Sequence, residues 1–466
     1  LGLKLLRERR TFVAGKQCKK VDLSPFFTSL PFSLTGAQRR AIGDIARDLT
    51  GQRPMNRLVQ GDVGSGKTMV AAAAIYMAAK NGLQCALMAP TEILAEQHYR
   101  SLAPLLEPLG IPCALLTAST KARERRALNE RLRSGELSLV IGTHALLSPD
   151  VQYQNLGLVV TDEQHRFGVD QRAALSAKGD DPHLLVMSAT PIPRTLALMI
   201  YGDLDVSILN ELPPGRQKID TFAVPSSYHE RIYAFLRKLV AEGRQAYIVC
   251  PMVSENDELP DERKAVTAYA EMLQKEVFPD LRIAPIHGKM KPKEKDAVMR
   301  AFAAHEIDVL VSTTVIEVGV DVPNATVMVI ESAERFGLSQ LHQLRGRVGR
   351  GGEQSYCILM SGEKLSKESR ARLDAMCETN DGFRLAELDL KLRGAGDING
   401  TLQSGMAFDL KIANPTLDVQ ILTVSREAAA GILSADRTLS RPEHRGLREL
   451  RRRYSGREEI DFSMIS

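Results

Sequence analysis

The sequence contains no tryptophan, and aromatic residues make up only 5% of its 466 residues. Sites that hold single strands by base stacking need aromatic side chains, so this composition disfavours a stacking platform. Six cysteines are present, but no two of them form a Cys-x-x-Cys pair. Their scatter argues against a zinc site and favours reduced thiols in a cytosolic protein.

Long apolar runs and a strong charge are also missing. The longest uncharged apolar stretch, residues 69–79, is far shorter than the roughly 20 residues that span a bilayer, so no membrane span is expected. The net charge is +4, so a nucleic-acid surface would be a local basic lining. The chain starts Leu1-Gly2-Leu3-Lys4, without an initiator methionine or a signal-like core. We therefore expect that an N-terminal part is missing.

A glycine-rich octapeptide precedes a helix-forming run: Gly61-Asp62-Val63-Gly64-Ser65-Gly66-Lys67-Thr68. Glycines allow successive N–H groups to point at phosphate oxygens, and the following helix directs its positive end at the same anion. We predict that Lys67 reaches the β- and γ-phosphates and that the Thr68 hydroxyl binds Mg²⁺. The phosphate-cradling positions are Gly61, Gly64, Ser65 and Gly66. The motif predicts nucleotide hydrolysis but names no substrate.

Short runs of valine, isoleucine and leucine alternate with amphipathic helical stretches. Such runs are typical of strands buried on both faces in a doubly wound parallel α/β domain. Five precede a turn-rich segment at 211–216 and five follow it: 57–60, 85–89, 139–143, 156–161 and 184–187, then 246–250, 283–287, 309–313, 327–331 and 356–360. The pattern predicts two sheet domains joined near 211–226. The sequence of residues 1–24 is compatible with a basic helix, and the pattern at 364–376 predicts another helix.

Two adjacent carboxylates, Asp162 and Glu163, follow the apolar run that ends at Thr161. This placement fits metal-assisted phosphoryl transfer. Asp162 is predicted to hold Mg²⁺ through water, and Glu163 to orient and deprotonate the attacking water. An ordinary acidic turn is the alternative, which the upstream phosphate loop disfavours.

Two arginines, Arg347 and Arg350, lie in the segment 343–350. Arginines three apart on a helix share a face, and a guanidinium aimed at the γ-phosphate stabilises charge in the transition state. We predict that both act as arginine fingers across a domain cleft. A plain basic helix face is the alternative.

Residues 32–350 resemble superfamily 2 helicases, and the sequences of their motifs are similar to those of the RecG family of bacterial branched-DNA translocases. The segments that carry the resemblance are 60–68, 89–98, 162–169, 188–195, 286–290, 312–321 and 343–350. Residues 381–405 resemble the translocation hairpin that this family shares with the transcription-repair coupling factor. The family pattern usually has proline where Ala395 stands and arginine where Leu402 stands, and these departures leave the resemblance to the hairpin intact.

The resemblance implies two tandem RecA-like P-loop domains with a C-terminal helical hairpin. Expected boundaries are 1–24 for a linker helix from a missing domain, 25–215 and 216–375 for the RecA-like domains, 376–410 for the hairpin and 411–466 for a tail.

The resemblance also implies residue roles. Gln38 would read adenine with Phe32 as a possible stacking partner, and Asp321 would contact the ribose or a hinge. The DNA backbone would be held by Thr91, Thr143, His144, His287, Gly288, Thr313 and Thr314. Coupling is implied for His165, Ser188, Thr190 and Gln343, and translocation for Arg384, Arg393 and Gln403.

The activity implied is that of an ATP- and Mg²⁺-dependent DNA helicase or translocase. Its partners would be double-stranded and branched DNA, including stalled replication forks and Holliday junctions, in recombination and repair. The location implied is the bacterial cytoplasm at the nucleoid, and the missing partner in cis is an N-terminal wedge domain.

Three alternatives remain open at the level of sequence. A translocase of the transcription-repair coupling type is close, although no polymerase-binding module is visible. An RNA-remodelling helicase would have a nearly identical ATP site, but residues 381–405 argue against it. A DNA-binding module with an inactive ATP site is weaker still, since Lys67, Thr68, Asp162, Glu163, Arg347 and Arg350 are all present.

Overall fold

The computed structural model of the chain describes residues 16–162, 174–189, 204–213, 217–251, 262–313 and 321–393, and part of 421–455. The larger of two compact units spans Ala14–Pro193 and Val206–Leu392 and contains both sheets described below. The smaller unit includes Arg393–Ser466. None of the helices in these described ranges is long and apolar enough to cross a membrane.

The first sheet has seven strands in the order β3-β4-β2-β5-β6-β1-β7. They are β1 Asn56–Gly61, β2 Gln84–Met88, β3 Cys113–Leu116, β4 Leu139–Gly142, β5 Leu156–Thr161, β6 His183–Ser188 and β7 Asp205–Leu209. Parallel pairing places Gln60 opposite Ser188, and Thr161 opposite Val186. The carboxyl ends of β1, β6 and β5 therefore meet at one edge of the sheet.

The helices around this sheet are α1 Ser24–Ser29, α2 Gly36–Leu49, α3 Lys67–Lys80, α4 Glu92–Leu106 and α5 Ala122–Arg133. Helix α2 begins with a capping box in which the Thr35 side chain accepts from the Gln38 N–H, and the Gln38 side chain accepts from the Thr35 N–H. Helix α3 is buried from Val70 to Ala78. Its alanines occupy little volume, so it lies within the core beside the sheet.

The second sheet has six strands in the order β10-β11-β9-β12-β13-β8. They are β8 Asp220–Pro225, β9 Gln245–Val249, β10 Ile283–Ile286, β11 Val309–Ser312, β12 Ala325–Ile330 and β13 Tyr356–Ser361. The helices that follow along the chain are α6 His229–Ala241, α7 Glu262–Met272, α8 Pro292–Ala303, α9 Leu338–Arg345, α10 Lys367–Glu378, α11 Gly382–Arg393 and, in the smaller unit, α12 Arg445–Ser455.

All ten predicted strands are present, with small shifts at their ends. The sequence pattern does not predict β3, β7 and β8, each of which lies at an edge of its sheet. Strand β8 even lies inside the segment 211–226 that we expected to join the two domains. Its side chains are exposed or half-buried along its whole length, because an edge strand is covered on fewer sides than a central one.

Two expectations for helices need correction. Residues 16–23 are not helical; their backbone instead bonds to the first domain, where Cys18 N–H donates to Leu49 O at 2.9 Å. The helix expected at 364–376 is α10, which extends to Glu378 and so crosses the expected domain end at residue 375.

Candidate nucleotide site

The glycine-rich loop connects β1 to α3. Gly64 and Gly66 have φ of 77° and 79°, in the left-handed region that favours glycine, and Gly66 caps the helix. A Cβ on Gly66 would lie 2.2 Å from Gln38 Nε2, and one on Gly61 would lie 2.5 Å from Ser65 Oγ. The loop therefore requires glycine at these positions and leaves its N–H groups at the start of α3, where an anion is stabilised.

Lys67 and Thr68 form the first turn of α3. The Lys67 Nζ donates to Gly61 O at 2.8 Å and to Asp62 O at 2.9 Å, so the ammonium group lies against its own loop. Thr68 lines the adjacent cavity with Lys67. Both residues lie beside the glycines that we predict to cradle the phosphates.

Gln38 is 2% exposed and contacts the loop directly. Its Nε2 donates to Ser65 O at 2.9 Å, and its Oε1 accepts from Thr35 N–H at 2.9 Å. The side-chain amide thus supports the loop from behind. Phe32 is 48% exposed, and neither residue is among those that line the cavity. A role for either in adenine recognition stays a prediction.

Asp162 follows β5 and lines the cavity. Its Oδ2 lies 2.7 Å from Nε2 of His98, a residue of α4 that is 8% exposed. Sequence reasoning did not single out His98 as a site residue, because a contact over 64 positions leaves no local pattern. Ser188 is buried at the end of β6. Glu163, His165 and Thr190 lie outside the described residues.

The second sheet domain contributes Arg347, Arg350 and Asp321 to the same cavity. The predicted helix face is wrong, however, because α9 ends at Arg345. The chain instead forms a turn after α9, in which Arg347 N–H donates to Leu344 O at 3.0 Å. Gly349 in this segment has a φ of 73°. The turn brings both arginines to the cavity, and Arg350 NH1 lies 3.5 Å from Asp321 Oδ1. Gln343 lies on α9, half-buried.

The shared cavity has a volume of about 870 Å³ and is lined by both sheet domains. A loop that only glycine can form, a lysine, a threonine hydroxyl and a carboxylate face one space, which fits a nucleotide with Mg²⁺. The described residues contain no group of three His, Cys, Asp or Glu side chains that could hold a metal. Mg²⁺ usually keeps several waters and binds through one or two carboxylates plus substrate phosphates, which is compatible with Thr68 and Asp162 as protein ligands.

The residues predicted to hold DNA follow the carboxyl ends of strands in both sheets. Thr91 caps α4 after β2, and Thr143 follows β4. His287 follows β10, and Thr313 follows β11. The hydroxyls of Thr143 and Thr313 are buried without a hydrogen-bond partner among the described residues. His144 and Gly288 are exposed, and Thr314 lies outside the described ranges.

The translocation residues are described only in part. Helix α11 carries Arg384, which is exposed, and ends at Arg393. Gln403 and the departures at Ala395 and Leu402 lie outside the described residues.

Three family models match the chain. The model for DEAD/DEAH box helicases matches residues 35–199, and the helicase conserved C-terminal domain matches 230–352. The model for ATP-dependent DNA helicase RecG, domain 3, C-terminal, matches 379–466. The chain is also 53% identical to the ATP-dependent DNA helicase RecG of Synechocystis sp. over 417 residues, which is 90% of this chain.

The chain belongs to the RecG family. The RecG of Bacillus subtilis is 51% identical over 92% of this chain, and that of Thermotoga maritima is 51% identical over 86%. This chain spans 50%, 62% and 51% of the length of the Synechocystis, Bacillus and Thermotoga proteins. The family resemblance inferred from the sequence is therefore confirmed.

Solved structures agree with this assignment. A RecG bound to a three-way DNA junction is 46% identical, has a TM-score of 0.77, and matches 91% of this chain and 55% of that one. The helicase MrfA bound to DNA shares only 17% identity, with a TM-score of 0.56 over 84% of this chain and 61% of that one, which shows the fold alone. Tandem RecA-like parallel-sheet domains, the predicted fold class, are thus confirmed.

Proposed function

We propose that this chain is the motor of an ATP-dependent DNA helicase that acts on duplex and branched DNA. The observation that carries the proposal is the cavity in which Lys67 and Asp162 of one sheet domain face Arg347 and Arg350 of the other. Residues from both domains around one nucleotide make binding and hydrolysis sensitive to domain movement. Membership in the RecG family supports DNA as the polymer.

At the first domain, the loop N–H groups and Lys67 bind the phosphates. The Thr68 hydroxyl and, through water, the Asp162 carboxylate would hold Mg²⁺, which would neutralise charge on phosphate oxygens. The hydrogen bond with His98 fixes the direction in which the Asp162 carboxylate points. Glu163 activates the attacking water in this proposal.

At the second domain, Arg347 and Arg350 stabilise charge that develops on the γ-phosphate. Asp321, beside Arg350, contacts the ribose or the hinge. Coupling between hydrolysis and domain movement is assigned to His165, Ser188, Thr190 and Gln343.

DNA lies along the carboxyl ends of strands in both sheets. The positions of Thr91, Thr143 and Thr313 after the carboxyl ends of strands support this placement, because small hydroxyl side chains suit close contact with phosphates. The backbone contacts are assigned to Thr91, Thr143, His144, His287, Gly288, Thr313 and Thr314. Translocation is assigned to Arg384, Arg393 and Gln403, which convert closure of the two sheet domains into movement along a DNA duplex.

The proposed motor domains are residues 25–215 and 216–375, followed by a hairpin at 376–410 and a tail at 411–466. Because α10 continues to Glu378, the end of the second motor domain moves from 375 to that residue. The bacterial relatives support a place at the nucleoid in a bacterial cytoplasm, and the RecG bound to a three-way junction supports stalled forks and Holliday junctions as substrates.

The test is ATP turnover by the purified chain with forked DNA, linear duplex or RNA. We expect DNA, and forked DNA most strongly, to stimulate turnover. Arg350→Ala should lower the stimulated rate by about 10³-fold or more, and Lys67→Ala should remove turnover while some DNA binding remains. Arg448→Ala, on α12, serves as the matched arginine control. Stimulation by RNA instead of DNA would identify an RNA helicase, and full turnover by Lys67→Ala would refute the site.

A further inference from the structure

His342 of the second sheet domain contacts the phosphate loop of the first. Its Nε2 lies 2.7 Å from Oδ1 of Asp62. The histidine side chain is 4% exposed and the aspartate side chain 19% exposed. A hydrogen bond so well shielded from water is stronger than a surface ion pair of the same length.

A neighbouring arginine determines which ring nitrogen of His342 carries the proton. Arg345 NH2 lies 3.1 Å from His342 Nδ1. A guanidinium can only donate, so Nδ1 accepts and Nε2 carries the hydrogen. The contact with Asp62 is therefore an N–H donated to a carboxylate, a charge-assisted bond.

Arg345 is itself held in place by the end of α10. Its NH1 donates to Met376 O at 2.8 Å and to Thr379 O at 2.9 Å, and the residue is 2% exposed. These bonds fix the guanidinium, and the guanidinium fixes the imidazole. The direction of the His342 N–H is thus set within the second domain before it meets the loop.

On the loop, Asp62 is bonded from three sides. Its Oδ1 also accepts from Val63 N–H at 2.6 Å, and its carbonyl accepts from Lys67 Nζ at 2.9 Å. Burial alone would raise the pKa of Asp62, but the bond from His342, the Val63 N–H and the charge of Lys67 lower it. The aspartate is therefore an ionised acceptor.

A second contact keeps the two domains close at this point. A Cβ on Gly346 would lie 2.9 Å from Cγ2 of Val63. Only a glycine next to α9 lets the valine of the loop approach so closely. Asp62 and Val63 thus meet His342 and Gly346 side by side.

We propose that His342 is a positioning residue that holds the phosphate loop, through Asp62, when the two sheet domains are closed. Closure delivers the His342 N–H to Asp62, and opening withdraws it. The phosphate loop is therefore more ordered when the two sheet domains are closed than when they are open. Its effect on ATP use rests on the proposed function, whereas the contact itself does not.

The test is hydrogen–deuterium exchange of the whole chain without nucleotide or DNA. In His342→Leu, we expect amides of residues 61–68 to exchange about tenfold faster, since bonds to charged groups contribute about that factor or more. Asp62→Ala should give at least the same increase, because the Val63 N–H also loses its acceptor, and the double variant should exchange no faster than Asp62→Ala. An unchanged rate in His342→Leu, or additive effects in the double variant, would overturn the proposal.

Two further variants separate the hydrogen bond from packing and from domain contact in general. His342→Gln keeps an N–H near the position of Nε2 and should restore most of the protection; failure to do so would overturn the proposal. Arg300→Ala removes an ion pair between α8 and Glu96 of α4, whose side chains are 51% and 19% exposed. This control should change exchange at 61–68 by less than about twofold.

Nucleotide measurements then show whether the contact serves the proposed function. His342→Leu should raise the KM for ATP more than it lowers kcat, because the loop must be ordered again on binding. If the unaltered chain turns over no ATP, the proposed function fails, and exchange still decides the role of His342. An equal rise of exchange at 156–161 in β5 would show general destabilisation and would count against a local role.

Discussion

Single residues determine the shape of the phosphate loop. At Gly66, even the methyl group of an alanine would not fit without a change in the loop. We expect Gly66→Ala to abolish nucleotide binding and to destabilise the first domain, because alanine adds strain at φ of 79° and its Cβ meets Gln38 at 2.2 Å. Gly82→Ala is the matched control, with φ of 75° and nothing within 4 Å of the added Cβ. It should cost about 1 kcal/mol of unfolding free energy and leave binding intact. Urea unfolding and titration with a fluorescent ATP analogue measure both effects, and equal binding by the two variants would contradict the cradle.

A second prediction concerns His98, which contacts Asp162. Replacing it with alanine removes the hydrogen bond that orients Asp162, so we expect the Mg²⁺ concentration for half-maximal binding of an ATP analogue to rise by about 10-fold or more. His98→Asn should retain part of the affinity if its amide reaches the carboxylate. Replacement of the exposed His144 is the matched control, because it lies outside the cavity. An unchanged Mg²⁺ requirement in His98→Ala would show that Asp162 needs no such support.

Residue types and spacing predicted several side chains that line the cavity, although Gln38 and Phe32, also predicted at the nucleotide, do not line it. Lys67, Thr68, Asp162, Arg347 and Arg350 all line it, since each belongs to a motif whose chemistry is local. His98 and His342 were not singled out, because each acts through a partner far away in sequence. The two arginines were chosen for a helical spacing that the structure replaces with a turn after α9.

Helix α2 begins at a capping box, on which its first turn depends. Thr35→Ala removes the acceptor for Gln38 N–H, 3.2 Å away, and loosens the side chain that supports Ser65. We expect a loss of about 1 kcal/mol in the unfolding free energy of the first domain and weaker nucleotide binding. Thr35→Ser keeps the hydroxyl and should behave almost as the unaltered chain does. Thermal and urea unfolding of both variants would reveal any departure.

All the central strands and the edge strand β10 were predictable, whereas the edge strands β3, β7 and β8 were not. Exposure to solvent explains the difference most clearly for β8. Strands such as β2 and β5 are buried along their whole length, so they appear as unbroken apolar runs. Strand β8 contains Asp220, and Phe222 is 52% exposed, because only one neighbouring strand and less of the core cover it. A segment of that composition resembles a linker, which explains why the joint was placed across it.

For the whole molecule, the shared cavity predicts that one ligand stabilises both sheet domains. A ligand at about 100 times its Kd should add about 2.7 kcal/mol to the stability of whatever part it binds. We therefore expect a non-hydrolysable ATP analogue to slow hydrogen exchange in α3 and also in residues 338–350. Arg347→Ala should keep the first effect and weaken the second. Protection confined to α3 in the unaltered chain would mean that the arginines do not engage the ligand.

The position of Lys67 has a consequence for affinity. Its ammonium group donates hydrogen bonds to Gly61 O and Asp62 O, so the loop itself offers the lysine alternative partners to phosphate oxygens. Binding exchanges one set of bonds for another, and the lysine contributes only the difference between them. Charge develops at the β–γ bridge as the bond to the leaving oxygen breaks, and a lysine that reaches the β- and γ-phosphates then contributes more to the transition state than to the bound substrate. A lysine that rests on its own backbone thereby favours turnover over tight binding.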